Sequence, residues 1–162
     1  MGTVVTARAG VLRAAMGLSV VAGLIHIANA PEHLSEWWGY GLFFLFASVA
    51  QLYFALGVGI MLRAGLQGPD DAPPSGDEGF FLLGCSRKLW FQLGIAGNGA
   101  IIALYVITRT VGIPFLGPAA GEVEPVTLLS VVSKVAEAGL ILCLAQSLRR
   151  APEPARPRVA QG

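Results

Sequence analysis

Ile25-His26-Ile27-Ala28-Asn29-Ala30-Pro31-Glu32-His33-Leu34-Ser35-Glu36-Trp37-Trp38-Gly39-Tyr40 holds both histidines of the 162-residue chain, two of its ten carboxylates and three of its six Trp and Tyr residues. One apolar segment, from about Val11 to Ala30, runs into this stretch, and a longer one, from about Trp38 to Leu62, leaves it. A bilayer span needs about 20 mostly apolar residues, so each segment is long enough to cross. The residues between them read as a turn at a membrane surface. Trp37, Trp38 and Tyr40 supply the apolar ring and polar edge of an interfacial aromatic belt. Pro31 suits the first turn of a short helical piece, because its missing N–H is not needed there. Glu32, His33 and Glu36 would then share neighbouring turns.

Composition supports the same reading of the whole chain. Hydrophobic residues make up 54% and charged residues only 13%, against about 25% charged in a soluble domain. Mean hydropathy is +0.66, and the charges are clumped, leaving long uncharged gaps. A net charge of +1 gives no basic field for nucleic acid. No glycine-rich phosphate loop implies a nucleotide. Nine of the eleven basic residues are Arg, and Ala and Gly abound, a composition that suggests a bacterial source. Cys85 and Cys143 fit no metal or redox spacing and read as free thiols.

Ala28-Asn29-Ala30 also fits a signal-peptide cleavage site, but Pro31 would then stand first in the mature chain, and the apolar run is long for a signal. A retained span is the better reading. Its Ala15-x-x-x-Ser19-x-x-x-Gly23 ridge suits close helix packing in lipid. After the second span, residues 63–88 turn polar and rich in Gly, Pro and Asp, a loop in which Phe80 to Leu83 dips against the membrane. A third span runs from about Leu89 to Thr108, and a fourth from about Val126 to Leu148. Between them, Arg109 to Pro125 contains three prolines and three glycines, which exclude regular structure; Ile113, Phe115 and Leu116 are expected to hold it on the bundle. Residues 1–10 form a short N-terminus, and the Pro-rich tail 151–162 is expected to be disordered. The fold class is therefore all-α, a four-helix transmembrane bundle over residues 11–148.

Four spans put both termini on one side. That side carries nine basic residues (Arg8, Arg13, Arg63, Arg87, Lys88, Arg149, Arg150, Arg156 and Arg158) and the other only Arg109. The asymmetry makes both termini cytoplasmic, in a multi-pass protein of the cell's inner membrane. The stretch His26…Pro31-Glu32-His33…Glu36-Trp37-Trp38-Gly39-Tyr40-Gly41, with Thr108 to Pro118 and Gly121-Glu122-Val123-Glu124-Pro125, resembles an uncharacterised family of small bacterial four-span membrane proteins. The resemblance covers nearly all of residues 11–148 and implies the architecture without an activity.

Two groups of residues are candidates for chemistry. On the outer side, His26, His33, Glu32, Glu36, Glu122 and Glu124 form a mixed His and carboxylate set. Such ligands suit zinc, iron or manganese. The competing reading is a hydrogen-bonded interfacial histidine. Within the membrane, Ser19, Gln51, Asn98 and Glu137 lie near the middle of their spans. They suggest one shared polar layer, either interhelical glue or a proton or ion path. Lys134 and Glu137, three residues apart, are expected to face the interior as a neutralising pair, with Ser130 and Ser133 nearby and Gln51 and Asn98 reaching Glu137.

No nucleophile or paired-carboxylate motif assigns catalytic residues. The sequence favours a non-catalytic accessory or assembly component, surrounded by the lipid bilayer and associating with other membrane proteins or with itself. Two further readings stand beside it: a metal site supporting redox or hydrolytic chemistry, and a proton-coupled carrier or channel working as an oligomer through Lys134 and Glu137.

Overall fold

In a computed structural model that describes residues 2–65, 86–113, 115 and 117–149, the chain forms four helices: α1 (Gly2–Glu36), α2 (Trp38–Arg63), α3 (Arg87–Thr110) and α4 (Leu128–Arg149). All four are long and apolar enough to cross a membrane. The inner stretch of the polar loop at 66–85, with Cys85 and Phe80 to Leu83, and the tail at 151–162 lie outside the described residues. Cys143 is a free thiol.

The first corner differs from the sequence expectation. Pro31 does not begin a new helical piece; it sits inside α1, which continues to Glu36. A proline that removes one helix hydrogen bond is tolerated in membrane helices, where neighbouring groups and water serve the freed carbonyl. Trp37 alone separates α1 from α2, in extended conformation at φ −165° and ψ 136°. Its N–H donates to the His33 carbonyl at 3.0 Å, and its own carbonyl accepts from Tyr40 at 3.1 Å. So sharp a reversal presses the two backbones together. A Cβ on Gly41 would lie 2.7 Å from the Leu34 Cα, so this position has room only for glycine.

α1 packs against both α2 and α4, and α3 packs on α4. α2 and α3 meet largely through side chains: Phe54 stacks on Trp90 with centroids 5.6 Å apart. The apolar core fills the half of the bundle near the termini, where Leu12, Val58, Met61, Phe91, Leu140 and Leu144 are enclosed. Ser86 caps α3 by accepting from the Leu89 N–H. Large apolar side chains such as Phe46, Val49, Val135 and Leu142 point outward. On a soluble protein that would be an unexplained apolar surface, but in lipid it is solvated by acyl chains.

Above the apolar core, a first polar layer crosses three helices. Ser19 Oγ lies 2.7 Å from Gln51 Oε1 and 2.8 Å from the Gln51 carbonyl. Gln51 Nε2 donates to Asn98 Oδ1 at 2.7 Å, and Asn98 Nδ2 donates to the Gly94 carbonyl at 2.8 Å. The donors run in one direction and end on a backbone carbonyl, so these three buried side chains satisfy one another. Glu137 is not part of this layer. The expected reach of Gln51 and Asn98 to Glu137 is not made, because both amides are already engaged across α2 and α3.

Candidate ligand site at the end of the bundle

A second polar layer lies closer to the end opposite the termini. Glu137 in α4 is fully enclosed, and His26 in α1 is 3% exposed. His26 Nε2 lies 2.8 Å from Glu137 Oε1. Ser133, one turn before Glu137, donates to the same oxygen at 3.0 Å. Lys134 Nζ donates to Oε1 at 2.7 Å and lies 2.6 Å from Oε2. As expected, Lys134 and Glu137 pair toward the interior. The partner that the sequence reading missed is His26. Ser130 serves elsewhere: its Oγ is 3.2 Å from the Tyr105 hydroxyl and donates to the Thr127 carbonyl at 2.8 Å.

Lys134 supplies a counter-charge to Glu137 in this buried group. With Nε2 on the carboxylate, Nδ1 is the second polar atom of the ring. It is buried and has no hydrogen-bond partner among the described residues. Carboxylate–imidazole pairs of this kind fix a tautomer and orient the free nitrogen.

His26 forms part of the floor of a cavity of about 280 Å³ that opens at this end of the bundle. All six residues expected from sequence as an outer cluster line it: His26, His33, Glu32, Glu36, Glu122 and Glu124. They share the cavity without converging on a point. Among the described residues, no three His, Cys, Asp or Glu side chains are grouped to hold a metal ion. His33 lies within α1 itself, and its Nδ1 is 2.8 Å from Glu36 Oε2. Glu124 pairs with Arg109. Glu32 and Glu122 are exposed.

Aromatic rings form much of the remaining wall. Phe44 stacks flat on His33, centroids 4.2 Å apart, and is tilted against His26 at 5.7 Å. Tyr105 carries a cation on its ring twice over, with Arg109 at 4.9 Å and Lys134 at 5.4 Å. The α3–α4 connection closes one side. Glu124 N–H donates to the Thr108 carbonyl at 3.1 Å, and Gly121 N–H to the Ile113 carbonyl at 2.9 Å. Gly117, at φ +75°, lies so close to Tyr40 that a Cβ there would be 2.4 Å from the hydroxyl. Of the apolar residues expected to pin this loop, Ile113 is half-buried but Phe115 is 85% exposed. Backbone hydrogen bonds and the Arg109–Glu124 pair hold the loop in its place. Leu116 lies outside the described residues.

No family model matches this chain. Searches of curated proteins and of solved structures find no match either. The chemistry of the cavity therefore has to be read from its own residues. Tyr105, Phe44 and Asn29 had no sequence signal of their own; Arg109, as the lone basic residue on its side, had one.

Proposed function

We propose that this chain is a multi-pass protein of the bacterial inner membrane, with both termini cytoplasmic, whose outward-facing cavity binds a small ligand. His26 is the acid–base group of that site, oriented by Glu137. One observation supports the reading: an imidazole that lines a cavity of ligand size is held by a carboxylate through Nε2, and its buried Nδ1 has no partner among the described residues. Leaving a buried polar atom unpaired costs about 1–3 kcal/mol, a cost that a polar group of a ligand would offset. Binding pockets are typically concave and largely apolar with a few polar groups, and this cavity combines aromatic walls with polar side chains.

The site supports proton exchange with a bound ligand more directly than metal chemistry. Nε2 of His26, Nδ1 of His33 and the carboxylate of Glu124 are each engaged by another side chain. An accessory role without catalysis agrees with this reading, since a ligand-binding membrane subunit needs no reaction of its own. The test is a small-molecule screen on purified protein in lipid nanodiscs, scored by thermal stabilisation. Hits should stabilise the wild type and fail on Asn29→Phe, which places a ring in the cavity one turn from His26. A screen without hits, or hits indifferent to Asn29→Phe, would reject the pocket.

A further inference from the structure

The bundle has a second concave surface, at the end that carries the termini. A groove of about 720 Å³ runs between α1 and α2, lined at that end by Arg13 of α1 and Arg63 of α2. Farther in, its wall is apolar, with Met16 and Val20 from α1 and Leu52, Leu56, Gly59 and Ile60 from α2. The α2 residues recur every three or four positions, which sets them on one face of the helix. Gly59 leaves that face without a side chain; a Cβ there would lie 3.3 Å from the Met16 sulfur. At about 1.5 Å per residue, the wall runs roughly 10 Å from Arg13 to Val20 and roughly 16 Å from Arg63 to Leu52. One leaflet's share of a hydrocarbon core is about 15 Å, so the groove is as long as an acyl chain is deep.

Both arginines are exposed. Among the described residues, neither makes a side-chain hydrogen bond or ion pair, and no carboxylate lines the groove. From this pairing of charge and shape we infer that the groove seats one acidic phospholipid. Its phosphate lies between Arg13 and Arg63, and an acyl chain follows Met16, Val20, Leu56 and Gly59 toward the middle of the bilayer. Guanidinium groups match phosphate oxygens with paired N–H donors, and basic pockets between membrane helices bind acidic headgroups. A zwitterionic lipid brings its own ammonium to two cations that have no counter-charge, whereas an acidic one does not. Free phosphate would use the arginines and leave the apolar wall unfilled. The groove shares no residue with the His26 cavity, so this inference is independent of the function proposed for that cavity.

The experiment is native mass spectrometry of the full chain in detergent micelles, titrated with dioleoylphosphatidylglycerol or with dioleoylphosphatidylcholine. The two lipids share their acyl chains and differ in headgroup charge. One phosphatidylglycerol should bind about tenfold more tightly than phosphatidylcholine, a difference of about 1.4 kcal/mol. Arg13→Gln with Arg63→Gln should abolish that preference. Both positions are exposed, so the double variant keeps the fold, which its unfolding temperature verifies. Lys88→Gln with Arg149→Gln removes the same charge from exposed positions at the same end but outside the groove, and should leave the preference intact. Gly59→Leu, which places a side chain in the groove beside the flexible end of Met16, should weaken phosphatidylglycerol without loss of fold. Equal binding of the two lipids, or an equal loss in both double variants, would overturn the site, the second result in favour of a general surface potential. Full displacement of the lipid by millimolar inorganic phosphate would overturn it in favour of a free-anion site.

Discussion

His26 Nε2 and Glu137 Oε1 lie 2.8 Å apart although 111 residues separate them in sequence. The contact joins the first helix to the last, and neither side chain has water to fall back on. Ionisable groups at such depth are expensive, at least roughly 2.5–3.5 kcal/mol each on insertion scales, and are kept where they are paired or functional. Here the pairing is met, and His26 also lines a cavity.

The pairing of Lys134 with Glu137 makes single and double substitutions diverge. Lys134→Met leaves the enclosed carboxylate with His26 and Ser133 but without its lysine partner. Breaking a buried pair from one side costs about 3–5 kcal/mol, whereas replacing both partners with apolar groups is often neutral. Lys134→Met with Glu137→Leu should therefore unfold at a higher temperature than Lys134→Met alone. Equal thermal midpoints for the two would show that the pair is not isolated from solvent.

The Ser19–Gln51–Asn98 chain should behave as glue. Gln51→Leu removes the donor to Asn98 and the acceptor of Ser19, and should lower stability by about 1–2 kcal/mol, the scale of interhelical hydrogen bonds in membranes. Ligand binding at the cavity should be unchanged, because the two polar layers share no hydrogen bond. Denaturation in mixed micelles together with a binding titration separates the two effects.

The proposed orientation rests on nine basic residues on one side and one on the other. A reporter fused after Leu148 should be active in the cytoplasm, and one inserted at Ala119 outside. A cytoplasmic signal from the Ala119 insertion would reverse the orientation and the compartment from which the cavity takes its ligand.

Four helices and their order were legible because each apolar run is long and bounded by charge or turn residues. The Lys134–Glu137 pair was legible too, because an i, i+3 spacing in a span leaves the two charges little choice. The His26 contact was hidden by one misplaced boundary. With the first span ending at Ala30, His26 lies about 6 Å below its end, while Glu137 lies about 17 Å into a fourth span starting at Val126. Once α1 is carried through Pro31 to Glu36, the depths become about 15 Å for His26 and about 13.5 Å for Glu137 measured from Leu128, and the two meet. Proline was read as a start signal where the helix simply ran on. The cavity wall was less legible for another reason: Phe44 and Tyr105 look like any aromatic residue in a span until the neighbouring helices are placed around them.

The most direct test is the protonation of the two ring nitrogens of His26, read by ¹⁵N NMR on protein labelled at histidine, with His33→Gln used to assign the signals. At neutral pH the ring should be the neutral tautomer with the proton on Nε2 and a bare Nδ1. Glu137→Gln should move the Nε2 resonance. A ring protonated on both nitrogens, or a proton on Nδ1 with Nε2 bare, would contradict the role proposed for His26 as an acid–base group oriented by Glu137.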